Sequence, residues 1–382
     1  MWHGNHGINP GSDFMKILFA AGGTAGHINP ALAIANHIRE KEKDTQVLFV
    51  GTKNGMETTL VPKSGYDIEF VNVRGFKRKL SLKNVKNVFD LGGAILKSIK
   101  IIKKFRPDVV VGTGGYVTGP VLLAAYLLNI PTMVHESNAF PGVTVRMLSD
   151  KVDIVALGMK EAEKFLKNPK RVEVVGNPIR PEIFKETYES AREKLGVGDK
   201  PVILVFGGSL GATYFNQCIV HWISEVAKEK KYTILMSTGR NNQYDTVIEH
   251  FYEHGIKTED YKELSVSEYI YDMDKALNAC DLIIARSGSS VSEMTALGKP
   301  AILIPSPNVA GNHQEHNARA VEKSGGAVVI TEDVLTGELL TKTVDGILSD
   351  KERLESMKKG ALSLGITDAT EKMRKLIMEI IK

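Results

Sequence analysis

Cysteine is nearly missing from this chain of 382 residues, which carries only Cys218 and Cys280. They lie far apart and outside any Cys-x-x-Cys or Cys/His metal spacing, so no disulfide framework or zinc module is encoded and a reducing compartment, the cytosol, is expected. No run of about 18 apolar residues occurs, which excludes a membrane-spanning helix. A Gly-x-x-x-x-Gly-Lys-Ser/Thr sequence is also lacking, so P-loop chemistry is not expected. The second strand ends "LFVGTKNG" with no acid at its tip, where a nicotinamide-dinucleotide fold would hold a ribose.

What remains is a chain with 43% apolar and 25% charged residues, long enough for two cores. Apolar runs of strand length alternate with helix-like segments, the rhythm of parallel sheets covered by helices on both faces. Strands are expected at 17–20, 47–51, 109–112, 132–135 and 154–157, and after a break at 202–206, 233–237, 282–285, 301–305 and 327–330. Pro178 and Pro181 bracket the break, so 177–182 reads as a linker. The expected division is a first domain over 15–176 and a second over 177–360. Residues 1–14, "MWHGNHGINPGSDF", have no periodicity and precede a second methionine, Met15; they are expected to be an appended leader.

The second half restarts in kind: "KILFAAGGTAGH" and "VILVFGGSLGA" are each a strand, a Gly-Gly turn and a helix start. Glycines there let the backbone approach an anion, and the amides and dipole of the following helix favour negative charge. "GTGGYVTGP" at 112–120 is a third such loop, so two Rossmann-like halves facing across a cleft and a phosphate-bearing substrate are expected. In "LIIARSGSSVSEMTALGKPAILIP", residues Ser287 to Ser290 precede a helix and Glu293 follows. That carboxylate could accept from two vicinal ribose hydroxyls, or close a capping box with Ser290. Asp272 and Asp274 in "YDMDKA" read as helix-capping acids rather than metal ligands. His27 ends the first glycine loop, where a group titrating near neutrality suits a general base; capping the helix or bonding a phosphate are its other readings. His135 and Glu136, adjacent at a strand end, are the next candidates.

Seven segments, "GGTAGHINPALAIA", "GGYVTGP", "HESNAFPG", "VGNPIR", "GGSLGA", "ARSGSSVSEMTALGKPAILIP" and "GNHQEHNA", in this order over essentially the whole chain from Met15, resemble the MurG family. The resemblance implies an inverting glycosyltransferase of GT-B fold that moves N-acetylglucosamine from UDP-N-acetylglucosamine (UDP-GlcNAc) to lipid I, the undecaprenyl-diphospho-muramoylpentapeptide, forming lipid II for peptidoglycan. It further implies a donor site mainly in the second domain, an acceptor site in the first, and a C-terminal helix, 361–382, returning to the first. Carried over by position, Thr24, Ala25 and Gly26 line the donor sugar and diphosphate, and Asn138 contacts the sugar. Arg180 and Ser209 approach the donor phosphates, the Ile270 backbone the uracil, Glu293 the ribose, and Gln314 with His313 the sugar hydroxyls. Gly23, Gly115 and Tyr116 are expected at the acceptor diphosphate. No cofactor or metal is required by this scheme, although loosely bound magnesium is compatible with it. The chain departs from the family at Ala25, the usual second glycine of "TGGH"; at Ser137, the usual glutamine of "HEQN"; and in "RSGSSVSE", one residue shorter than the family loop.

Between Val71 and Arg106 stand eleven lysines or arginines against one acid, Asp90, a net +10 in a chain of +4 overall. Interleaved Phe76, Leu80, Leu82, Val85, Val88, Phe89, Ile95, Ile99 and Ile102 suit adsorption to anionic headgroups, with Phe76, Lys77, Arg78 and Lys79 the expected membrane contact. An amphipathic helix with a solvated lysine face is the alternative. Nucleic acid is not expected, because no aromatic stacking platform accompanies the basic strip. The cytoplasmic face of the cell membrane, peripherally, is the location implied. Three other readings share the twin domains: a GT-B transferase acting on another membrane lipid such as diacylglycerol, a UDP-GlcNAc 2-epimerase needing no acceptor, and a non-catalytic nucleotide-sugar sensor. Transfer to lipid I separates them.

Overall fold

The computed structural model describes residues 14–73, 82–208, 211–240 and 242–381, with 82–89 described by their backbone alone. Two compact units result: residues up to Ile179 joined by Thr367–Lys382, and Arg180–Ile366. The segment that returns to the first unit begins at Thr367.

The first unit runs β1 (Lys16–Ala21), α1 (Ala25–Lys41), β2 (Gln46–Gly51), α2 (Glu57–Lys63), β3 (Asp67–Phe70), α3 (Leu82–Phe105), β4 (Val109–Gly114), α4 (Thr118–Leu127), β5 (Thr132–Glu136), α5 (Val143–Leu148), β6 (Ile154–Leu157) and β7 (Val172–Val174). The second unit continues with α6 (Tyr188–Leu195), β8 (Val202–Phe206), α7 (Thr213–Val226), β9 (Thr233–Ser237), α8 (Gln243–Glu253), β10 (Leu264–Ser267), α9 (Met273–Ala279), β11 (Leu282–Ala285), α10 (Val291–Ala296), β12 (Ala301–Leu303), α11 (His313–Lys323), β13 (Ala327–Val329), α12 (Gly337–Leu348) and α13 (Lys351–Leu362). α14 (Ala369–Ile381) rejoins the first.

The sheets are ordered β3-β2-β1-β4-β5-β6-β7 and β10-β9-β8-β11-β12-β13, parallel throughout. Strand β1 shows why its run is unbroken in apolarity. Ile17 and Phe19 point into a core with α1 and α14, while Leu18 and Ala20 point into another with α3, α4 and α5, so both alternating faces are covered. In the second unit Trp222, Phe215 and Phe251 fill the core between the sheet and helices α7 and α8 without exposure. Three strands escape the apolar-run signal, β3, β7 and β10, and each is a sheet edge with half-exposed residues.

Helix α14 buries Met373, Leu376 and Ile377 in the first core. Its polar flank is tied down as well: Glu371 accepts from His37 Nε2 on α1 at 2.8 Å and from Arg374, which reaches Glu42 at 2.9 Å, while Arg171 beside β7 pairs with Glu379 at 2.7 Å. The Arg374 guanidinium first, then His37, pull the Glu371 carboxyl down to about 2. A depressed folded-state value stabilises above the unfolded carboxylate range and is lost as pH falls from about 4.5 through about 2. Glu371→Gln therefore lowers Tm at pH 7 by about 2–4 °C, as about 1 kcal/mol does in a unit of this size, and its acid melting curve converges with the parent's near pH 2.

Both sheets reverse their strand order beside the first strand, at β1/β4 and at β8/β11. In open parallel sheets the crevice beyond the strand ends at such a point takes the ligand. The turns there are 22–24 and 115–117 in one unit; in the other, 207–208 and 211–212 are the described residues after β8, and 286–290 follow β11.

Candidate active site

In the first unit, the turn after β1 delivers Thr24 as N-cap of α1 in extended conformation, and His27 sits half-buried in the first helical turn. The amides of Thr24, Ala25 and Gly26 donate to no described residue, which leaves a cluster of donors on the positive end of a helix. Ala25 is the first helical residue, so its backbone is right-handed and the departure from glycine costs no strain. The Gly23 amide donates to Glu57 Oε2 at 2.9 Å.

His27 is held on several sides. Nδ1 lies 3.3 Å from the Gly22 carbonyl and 3.5 Å from Thr24 Oγ1, and the His27 carbonyl accepts from Thr113 Oγ1 at 2.7 Å. Its ring lies against Gly114 of β4, where a Cβ would come within 2.4 Å of Cδ2 at a backbone φ of +117°; only glycine leaves that room. Gly115 meets the first loop just as closely, since a Cβ there would strike the Gly22 carbonyl at 2.2 Å. Thr118 Oγ1 accepts from the Gly114 amide at 3.1 Å and donates to Ala20 O or Gly114 O, stitching the two glycine loops together. The Gly115 and Tyr116 amides donate to no described residue, and Tyr116 is exposed. Sequence reasoning missed Thr113 and Thr118, whose hydroxyls read as ordinary strand and helix threonines.

His135 is buried in β5 and donates from Nε2 to the Gly176 carbonyl at 3.0 Å, so its lone pair is on Nδ1, which meets no partner among the described residues. Burial drives this imidazole down to about 4. Glu136, also buried, accepts from the Asn138 amide (2.9 Å), Asn138 Nδ2 (3.0 Å) and the Gly142 amide (2.7 Å). Its two oxygens thereby shape the 137–142 loop and orient Asn138, while Asn177 Nδ2 fastens that loop through the Ser137 carbonyl at 2.9 Å. His135 and Glu136 are thus buried and bonded within the first unit, while His27 is half-buried at the glycine loop.

In the second unit, the "GGSLGA" turn follows β8; Ser209 lies outside the described residues. Arg180 Nε donates to Glu293 Oε1 at 3.0 Å, so the two are brought together at the start of α10. The capping box does not form: Ser290 is N-cap of α10 but is itself helical, with no side-chain cap bond. The turn before α10 is braced by α11. Ser287 Oγ donates to the Gln314 carbonyl at 2.7 Å, and Asn317 Nδ2 to the Ser287 carbonyl at 3.0 Å. Gln314 Oε1 accepts from the Ser306 amide at 2.8 Å, and His313 Nδ1 donates to the Ala310 carbonyl at 2.9 Å. Ile270 is half-buried in the loop after β10, and its backbone amide and carbonyl meet no partner among the described residues. Asp272 holds the N-cap position of α9, yet its carboxylate pairs with Lys275 at 3.1 Å instead of capping, because the neighbouring cation competes for it.

The expected membrane contact Phe76, Lys77, Arg78 and Lys79 lies outside the described residues. Where α3 is described, Ala94, Ser98, Ile101 and Ile102 are buried with Ile95 and Ile99 packed beside them, and Leu96, Lys97, Lys100, Lys103 and Lys104 face out. Ile95, Ile99 and Ile102 therefore serve the core, not a lipid surface. No described helix is long and apolar enough to cross a membrane.

Residues 17–157 match the glycosyltransferase family 28 N-terminal domain and 202–378 its C-terminal domain. The UDP-N-acetylglucosamine–N-acetylmuramyl-(pentapeptide) pyrophosphoryl-undecaprenol N-acetylglucosamine transferase of Acetivibrio thermocellus is 46% identical over 96% of this chain and 99% of its own. The enzyme of the same name from a Thermoanaerobacter species is 46% identical over 96% and 100%. Among solved structures, Acinetobacter baumannii MurG aligns with a TM-score of 0.76 and 27% identity over 96% of this chain and 99% of that one. A UDP-GlcNAc 2-epimerase of Neisseria meningitidis shares the fold at a TM-score of 0.63 and 16% identity over 96% and 100%, so architecture by itself does not choose the chemistry. With both domains matched and near-half identity over almost the full length, the chain belongs to glycosyltransferase family 28 and, within it, to the MurG N-acetylglucosamine transferases.

Proposed function

We propose that this chain transfers N-acetylglucosamine from UDP-GlcNAc to lipid I with inversion at the anomeric carbon. The observation that carries this reading is His27, set among the amides of Thr24, Ala25 and Gly26, which donate to no described residue, beside the glycine loop after β4. A single displacement needs a base within reach of the acceptor hydroxyl and donors for an anionic diphosphate. As the acceptor oxygen bonds to the anomeric carbon, the carbon–oxygen bond to the diphosphate breaks with its electron pair, and the acceptor proton passes to His27. Amides of 24–26 and of 115–116 suit diphosphate oxygens in the first unit. In the second, Arg180 offers a cation for the leaving diphosphate, Glu293 accepts from the ribose, and the Ile270 backbone pairs with the uracil edge.

Radiolabelled transfer from UDP-GlcNAc to a short-chain lipid I analogue tests the reading. Lipid II analogue is the expected product; UDP-ManNAc formed from donor alone, or binding without turnover, would replace it with the epimerase or sensor. Peripheral attachment at the cytoplasmic face follows from the lipid acceptor and the basic segment. The protein is expected to sediment with vesicles containing anionic phospholipid and to release as salt rises from 0.05 to about 0.5 M, because the Debye length shrinks several-fold. Unchanged sedimentation on neutral vesicles at all salts would remove the electrostatic part.

A further inference from the structure

We propose that Glu57 is the positioning acid for His27 and acts through the peptide group that joins Gly22 to Gly23. Glu57, in the first turn of α2, is wholly buried, and among the described residues no cation pairs with it. Three glycines enclose it: a Cβ at Gly22, Gly51 or Gly55 would come within 2.7, 2.6 or 1.9 Å of its side chain. Oε1 accepts from the Thr52 amide at 2.8 Å and from Thr52 Oγ1 at 2.7 Å, which locks the carboxylate plane. Oε2 accepts from the Gly23 amide at 2.9 Å. The carbonyl of that same peptide unit is Gly22 O, which faces His27 Nδ1 at 3.3 Å.

A carbonyl can only accept, so the pairing puts a proton on Nδ1 and the lone pair on Nε2. Carboxylate, peptide and imidazole then form one hydrogen-bonded chain. Negative charge at its far end polarises the peptide, strengthens the carbonyl as acceptor and stabilises the imidazolium that forms when the acceptor's proton arrives on Nε2. This is the logic of an acid orienting a catalytic histidine, with one peptide bond interposed. No covalent step is added.

The proposal rests on His27 being the base, and its test separates the two. In protein labelled with nitrogen-15 histidine, with His27 assigned by its loss in His27→Gln, the neutral ring is expected as the Nδ1–H tautomer. An Nε2–H tautomer in the unsubstituted protein overturns the proposal without need of any variant. Glu57→Gln, neutral and of nearly equal size, is expected to shift His27 toward Nε2–H. It should lower kcat for transfer about 10- to 100-fold with the KM for UDP-GlcNAc unchanged, the scale set by removing a group behind a working histidine. The acid limb of kcat/KM should move to lower pH by about half a unit or more, since the imidazolium loses its distant counter-charge. His135 on β5 is close enough to repel His27 when charged, but burial keeps it neutral above about 4, so it does not supply that limb. A Glu57→Gln enzyme with the parental tautomer and acid limb would reduce Glu57 to a loop brace. Full transfer by His27→Ala would instead retire the base and leave the tautomer result standing.

Discussion

His27→Ala is expected to lower kcat for transfer to lipid I about 10²- to 10⁴-fold, the usual contribution of a positioned general base, while UDP-GlcNAc binds within about threefold of the parent. The split follows from placement. The ring touches the Gly22 carbonyl, Thr24 Oγ1 and Gly114 in the first unit, whereas Arg180, Glu293, Gln314 and Ile270 belong to the second. Alanine at this helical position keeps the α1 start, so the amides of 24–26 stay in place. A second consequence concerns pH. With the base gone, the acid limb of kcat/KM should vanish, leaving a flat profile across the range where histidine titrates. Loss of donor binding together with turnover would assign His27 to anchoring the diphosphate; unaltered turnover would exclude it from both roles.

Much of this architecture was legible because parallel strands buried on both faces must be continuously apolar. β1, β4, β8 and β11, which frame both switch points, were read directly from their runs, and with them the positions of the glycine turns. The edge strands β3, β7 and β10 are not, since their half-exposed residues interrupt any apolar run and "DIEF" and "VEV" look like loop, whereas the edge strand β13 keeps its run "AVV". At the site, residue types were legible and their commitments were not. Nothing in the sequence tells that the Gly23 amide is used by Glu57, because the acid stands in a turn, "TKNGME", that reads as an ordinary helix start. Only tertiary folding brings the turns after β1 and β2 together over it. Likewise Ile95, Ile99 and Ile102 carry the spacing of an amphipathic helix, and spacing does not say whether a core or a lipid covers the apolar stripe.

Removing the Glu293 carboxylate should be felt first in the donor's ribose. Glu293→Ala is expected to weaken UDP-GlcNAc binding about 100-fold by calorimetry, roughly 3 kcal/mol, as two hydroxyl bonds to a charged acceptor are lost. Truncation also leaves Arg180 without its 3.0 Å partner, which by itself changes affinity for any anion. A cycle with the 2′-deoxy nucleotide separates these effects. The parent enzyme should prefer UDP over 2′-deoxy-UDP by about tenfold, one bond of this kind, and Glu293→Ala should treat both alike. If the variant keeps the parental preference, the carboxylate does not read the ribose, and its work is to hold Arg180. Glu293→Gln sharpens the choice, since the amide can still accept one hydroxyl through oxygen but no longer neutralises Arg180: partial ribose preference with tightened diphosphate binding is the signature of a carboxylate that serves both.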